Sequence, residues 1–248
     1  MTLDVLAIGS HPDDVELGCG GTLALLAGQG RKVGILHLTR GERGTRGTPE
    51  QREKEAERAA AALGAADLAF LDCGDGTLRA GEAEEDALIE VLRRWRPEVV
   101  LGPTPHDRHP DHERAHRLVA ASCFYAGLAN RGPGGPPHRP AAVFSYMQHD
   151  PFEPTFIVDV TSVWERKMES LAAYRTQLFQ PGETDKEEAK QEDDQPMTKV
   201  ASREFRLAVE GRARHFGLMI GAEMGEVFWS RLPLAVGDLF SILPGGLR

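Results

Sequence analysis

The chain has 248 residues, 41% hydrophobic and 27% charged, an ordinary globular composition with enough length to bury a sizeable core. Its 38 acidic and 29 basic residues leave a net charge of −9, the wrong balance for tracking phosphates, so no nucleic-acid partner is expected. Cys19, Cys73 and Cys123 form neither a disulfide framework nor a CxxC zinc pattern, which suits a reducing cytoplasm.

Leu3 to Gly9 is a short apolar run that reads as a buried strand. Leu17 to Ala27 has helical spacing and stops at Gly28, and Lys32 to Leu38 reads as a second strand. Thr48 to Leu63 is a helix with Pro49 near its start and Gly64 as its stop. Leu68 to Leu71, Glu84 to Trp95, Glu98 to Gly102 and Asp111 to Ala126 continue the alternation as strand, helix, strand and helix. Four such alternations with short connections specify an α/β fold, a Rossmann-like, mostly parallel sheet with helices on both faces.

From Asn130 the pattern loosens through the loop NRGPGGPPHRP. Strands follow at Ala141 to Met147 and Phe156 to Val160, then helices at Ser162 to Leu178 and Ser202 to Met219. Between those helices, Gly182 to Gln195 is strongly acidic and reads as a solvated loop; the tail GDLFSILPGGLR reads as surface-packed. Residues 1–248 therefore read as one domain, a core over 1–129 and a C-terminal strand/helix extension over 130–248 that completes the pocket. No run reaches about 18 apolar residues, so no membrane span is expected. The start MTLDVLAIGSHPDDVE lacks a basic n-region, and the expected location is the cytoplasm.

Two polar clusters carry the chemistry. Ser10-His11-Pro12-Asp13-Asp14-Val15-Glu16 follows the first strand, and His106-Asp107-Arg108-His109-Pro110-Asp111-His112 follows the fourth. In a doubly wound sheet those strands flank the topological switch point, where ligands bind outside the carboxyl ends. Two histidines and a carboxylate from these turns suit a catalytic zinc with an open fourth position, and spare acids and histidines nearby suit acid–base work. Each cluster alone also reads as a Pro/Asp turn capping the next helix. Their joint occurrence at the switch point favours the metal site.

Three other patterns compete. His112-Glu113-Arg114-Ala115-His116 matches the metalloprotease H-E-x-x-H, but no third ligand follows on that helix, so His116 is expected at the surface or behind the site. Gly18-Cys19-Gly20-Gly21 misses the dinucleotide register because Leu23 stands where the third glycine belongs, and its glycines are expected to serve close packing. The loop Thr39 to Thr48, rich in arginine and leading to Arg52, suits recognition of a carboxylate or sugar hydroxyls.

SHPDDVE, TRGERGTRGTPEQR and DRHPDH, together with 154–180 and 211–229, resemble the LmbE-like, or PIG-L, zinc-dependent N-acetylglucosaminyl deacetylases. Within that family the sequence is most similar to the N-acetyl-α-D-glucosaminyl L-malate deacetylases of bacillithiol biosynthesis. The resemblance implies His11, Asp14 and His112 as metal ligands and Asp13 as general base. It implies His109 as proton donor or oxyanion stabiliser, with Asp111 orienting it. Arg52, helped by Arg108, would contact the substrate's aglycone. The implied cofactor is Zn²⁺, and Fe²⁺ or Co²⁺ also suit a His₂Asp site. The implied substrate is a small GlcNAc conjugate, and the implied assembly a homo-oligomer, a hexamer being one form. GlcNAc-inositol, chitooligosaccharides and thiol conjugates stand as alternative substrates, and a non-catalytic sugar-binding protein as the alternative class. The sequence departs from the family at Ser10, where alanine is usual, and in the acidity of 183–197.

Overall fold

A computed structural model of the protein describes residues 2–179 and 196–238. The acidic stretch 182–195 and all but the first two residues of the tail 237–248 lie outside the described residues, so the readings of both stand outside it too. In chain order the first elements are β1 (Val5–Gly9), α1 (Asp14–Gly28), β2 (Val33–His37) and α2 (Pro49–Leu63). Then come β3 (Asp67–Phe70), α3 (Glu82–Trp95), β4 (Val99–Gly102) and α4 (Pro110–Tyr125). The second half supplies β5 (Ala142–Tyr146), β6 (Phe156–Asp159), α5 (Trp164–Ala172), α6 (Arg203–Met219) and β7 (Gly225–Trp229).

All seven strands form one sheet in the order β3-β2-β1-β4-β5-β7-β6, parallel from β3 to β5, with β7 antiparallel to both neighbours. Strands buried on both faces need apolar side chains at successive positions, and β1 supplies them. Leu6 and Ile8 face the α3–α4 layer with Leu88, Leu92 and Leu118, while Val5 and Ala7 face Leu23, Ala24 and Leu63 of α1 and α2. The order reverses between β1 and β4, so the loops leaving those strands lie side by side.

Helix α2 has the ends its sequence predicts. Thr48 and Gln51 form a reciprocal capping box, Pro49 opens the first turn, and Gly64 closes it at φ 77°. Helix α1 begins at Asp14, three residues before its apolar pattern, and bends at Cys19, where φ is −145°. The bend frees the Leu17 carbonyl, which accepts from Lys167 Nζ at 3.0 Å and from Arg212. The amides of Gly21 and Thr22 donate to the Glu226 carboxylate at 2.9 and 2.7 Å. Lys167 and Glu226 pair with each other, both buried, so α5 and β7 together supply the partners the bend leaves open. Gly18 has no room for a Cβ because the Tyr146 ring lies against it, and Gly21 meets Val160 and Glu226. These glycines serve packing, as the failed dinucleotide register suggests.

Two expectations change. The helix expected to reach Leu178 stops at Ala172, because Glu55 of α2 takes the Thr176 amide at 2.8 Å and its hydroxyl at 2.7 Å. Those hydrogen bonds hold the chain away from the helical path. The periodicity does not single out β7, since the buried Glu226 interrupts an already short apolar run. No helix among the described residues is long and apolar enough to cross a membrane.

Candidate functional site

The turn after β1 is held tightly. The His11 amide donates to Asp14 Oδ2 at 2.8 Å, and the Asp14 amide returns a bond to the His11 carbonyl at 3.3 Å. This closed turn forces Asp13 to φ 105°, left-handed backbone that costs a non-glycine residue energy and that Asp tolerates better than most. Consecutive aspartates thereby point apart. Asp14 faces the histidines, and Asp13 Oδ2 lies 3.7 Å from the Arg52 guanidinium.

After β4 the chain enters α4 with His109 as its N-cap, its Nδ1 accepting from the Asp111 amide at 3.2 Å. One turn later His112 is buried against the first loop. Asp14 bridges the two loops, with Oδ2 3.4 Å from His11 Nδ1 and Oδ1 3.3 Å from His112 Nε2. Each histidine's other nitrogen is held by carboxylates. His11 Nε2 lies 3.2 Å from Asp75 and 3.3 Å from Asp111, and His112 Nδ1 lies 3.0 Å from Asp107. The His109 ring stands 4.8 Å from both the His11 and the His112 ring.

The charges follow from this packing. Burial works against charge on His112, yet Asp14 and Asp107 raise its pKa to about 9. Burial likewise opposes charge on Asp14, but His112 and His11 hold its carboxyl well below the usual range. Burial pushes Asp13 up to about 7 against the pull of Arg52. Four buried aspartates, Asp14, Asp75, Asp107 and Asp111, thus face the ring nitrogens of two histidines, which balance that negative charge by carrying positive charge. A divalent cation can replace that charge, and two imidazole nitrogens with one carboxylate suit such an ion chemically. The carboxylate–histidine contacts behind them are what fixes ligand rings in metal sites.

The expected site residues Asp13, Asp14, His11, His109, Asp111 and His112 all meet in this crevice. Two placements differ from expectation. The Asp111 side chain reaches His11, the Gly76 amide and Arg114 and not His109, which it holds through its backbone. Arg52 is buried and donates to the Pro12 carbonyl at 2.6 Å and the Gly41 carbonyl at 3.3 Å, so it braces the turn that carries Asp13. Its two terminal nitrogens are engaged by backbone while its Nε is buried without a partner among the described residues, and Arg108 is exposed. His116 lies outside the cluster, 3.0 Å from the Pro103 carbonyl and 3.3 Å from the Ser145 hydroxyl, which removes the metalloprotease reading.

Sequence reasoning gave no role to Asp75, Asp107 or Gln148. Asp75 sits in the Asp-Gly turn after β3, and Asp107 in the very cluster after β4. Gln148 follows β5, with its carboxamide nitrogen 3.4 Å from His112 Nε2. The signal that could have found Asp75 and Gln148 is position, since each follows a strand at the same sheet edge.

The model of the PIG-L family, described as GlcNAc-PI de-N-acetylase, matches residues 6–123. Diacetylchitobiose deacetylase of Thermococcus kodakarensis is 34% identical over 70% of this chain and 70% of its own. The chain belongs to the PIG-L family. Another relative, 4-oxalmesaconate hydratase of Pseudomonas putida, is 31% identical over 65% of this chain and 69% of its own. Among solved structures, the conserved protein TT1542 of Thermus thermophilus superposes with a TM-score of 0.84 at 36% identity. That match covers 96% of this chain and 99% of TT1542, so the likeness to that protein runs through the second half, beyond the residues that the family model matches.

Proposed function

We propose that the protein is a metal-dependent N-deacetylase of a GlcNAc conjugate. The observation that carries the reading is Asp14 joined to both His11 Nδ1 and His112 Nε2, with Asp13 beside it on a strained backbone. His11, Asp14 and His112 would hold the ion, zinc being the ordinary choice for this donor set. When bound, such an ion supplies Lewis acidity at the acyl carbonyl and lowers the pKa of a coordinated water to about 7.

The chain's own groups supply the proton transfers. Asp13, with a pKa of about 7, can accept the proton of the attacking water near neutral pH. His109 accepts the Asp111 amide at Nδ1, so its neutral ring carries the proton on Nε2. As the C–N bond breaks, the proton taken up by Asp13 passes to the leaving amine, the neutral His109 ring donating a hydrogen bond from Nε2 to the reacting group, and acetate and the free amino sugar result. Arg52 braces the turn bearing Asp13. At the rim, Arg108 suits an acidic aglycone, which keeps the malate conjugate first among substrates.

The test is amine release from GlcNAc-malate, GlcNAc-inositol and diacetylchitobiose, with metal-loaded and chelated protein compared. Metal-dependent release with malate preferred is the expected result. Release from another substrate moves the aglycone assignment, and release from none overturns the reading. A hydratase frees no amine, so the assay also separates that reaction.

A further inference from the structure

Gln148 is 4% exposed, and its Oε1 is buried without a hydrogen-bond partner among the described residues. An unpaired buried carboxamide oxygen costs free energy, and an apolar residue of similar length would avoid that cost. The side chain is nevertheless aimed with care. The Gln148 carbonyl accepts from the half-buried Arg212 guanidinium, and the next amide, that of His149, donates to Asp107 Oδ2 at 2.9 Å. Asp107 is also the carboxylate that holds His112. The peptide group after Gln148 is thus tied at both its ends to the scaffold of the site, and the carboxamide projects to 3.4 Å from His112 Nε2.

The same nitrogen faces Asp14 Oδ1 at 3.3 Å, so His112 is not a dedicated partner for the carboxamide. Once His112 Nε2 engages a cation it no longer accepts, and the Gln148 N–H groups are left facing the space beside His112 and Asp14. The nearest group in need of a donor there is the oxygen of a bound acyl group, where negative charge grows during hydrolysis. A donor fixed before the reaction is the arrangement that stabilises such charge with least reorganisation. We propose that Gln148 is a catalytic residue that donates a hydrogen bond to the acyl oxygen of the substrate. The inference rests on the deacetylase reading above for the identity of that acyl group.

The experiment uses the full-length, zinc-loaded protein and the variants Gln148→Met and Gln148→Glu, both of similar length and neither able to donate when ionised or apolar. Zinc content, thermal unfolding and calorimetric titration with acetate are measured on each, with kcat and KM on the N-acetyl substrate. The expected result is unchanged zinc stoichiometry, acetate affinity weakened about tenfold or more, and kcat lowered about a hundredfold. If the Met variant does not fold, Gln148→Leu, which also removes the donor without adding charge, decides the matter. Acetate affinity equal to that of the unsubstituted protein overturns the proposal. Loss of zinc from both folded variants also overturns it, because Gln148 would then serve the ion and not the acyl group. If no GlcNAc conjugate releases amine, the deacetylase reading falls, while the acetate titration still decides the role of Gln148.

Discussion

Asp14 Oδ1 lies 3.3 Å from His112 Nε2, across 98 residues of chain, and ties the loop after β1 to helix α4. Asp13, its neighbour, points away to Arg52. The left-handed backbone at Asp13 is what separates the two carboxylates, so their substitutions separate as well. Asp14→Asn is expected to lose bound metal, measured by elemental analysis after dialysis. Asp13→Asn is expected to keep its metal and lose about 10²–10⁴ in kcat, the usual contribution of a general base. Normal turnover in the metal-replete Asp13→Asn protein would remove Asp13 from the mechanism.

Asp107 holds His112 Nδ1 and also accepts from the amides of His109 and His149. Removing a carboxylate behind a ligand histidine lowers metal affinity about 10–100-fold. Asp107→Asn is therefore expected to keep the fold and to release zinc at lower chelator concentration than the parent protein. A chelator titration that superposes on the parent curve would show that Asp107 shapes the loop alone.

Glu16 is fully buried beside Asp13 and Asp14, and burial pushes its carboxyl from 4.5 up to about 8, against the Tyr174 hydroxyl that donates to it at 3.0 Å. A folded pKa raised above the unfolded one gives stability that is full below about 4.5 and lost as pH rises through 8. The slope from this one group is at most ~1.4 kcal/mol per pH unit inside that window. Denaturant unfolding of chelated protein at pH 5 and pH 8 should differ less in Glu16→Gln than in the parent. An identical difference in the two proteins refutes the assignment.

Lys167 and Glu226 are each 3% exposed at the side chain, and the Glu226 carboxylate also serves Gly21 and Thr22. Lys167→Met leaves that carboxylate buried without its cation, a loss of about 3–5 kcal/mol in pairs of this kind. Adding Glu226→Gln should recover part of the loss, because the buried charge goes with it. Equilibrium unfolding of both variants checks this; a loss below about 1 kcal/mol in Lys167→Met would show that the bend in α1 does not depend on the pair.

Local spacing was enough to establish the first half of the fold and the turns that carry the candidate ligands. Apolar strands of a parallel sheet, the Thr48 capping box and the Gly64 stop are written in the sequence, because each depends on residues a few positions apart. The HPDD and HPDH turns were equally legible, since the reversal of strand order between β1 and β4 follows from the alternation itself. The remainder came from contacts between distant segments. Arg52 became a brace because the Pro12 and Gly41 carbonyls reach it first, and α5 ended early because Glu55 captured Thr176. Strand β7 pairs with β5 and β6, and its buried Glu226 accepts from two amides at the bend of helix α1, 205 and 204 residues away in sequence. Asp75 and Gln148 entered the site in the same way, through sheet order. Contacts of that span leave no periodicity behind, so only the folded chain shows them.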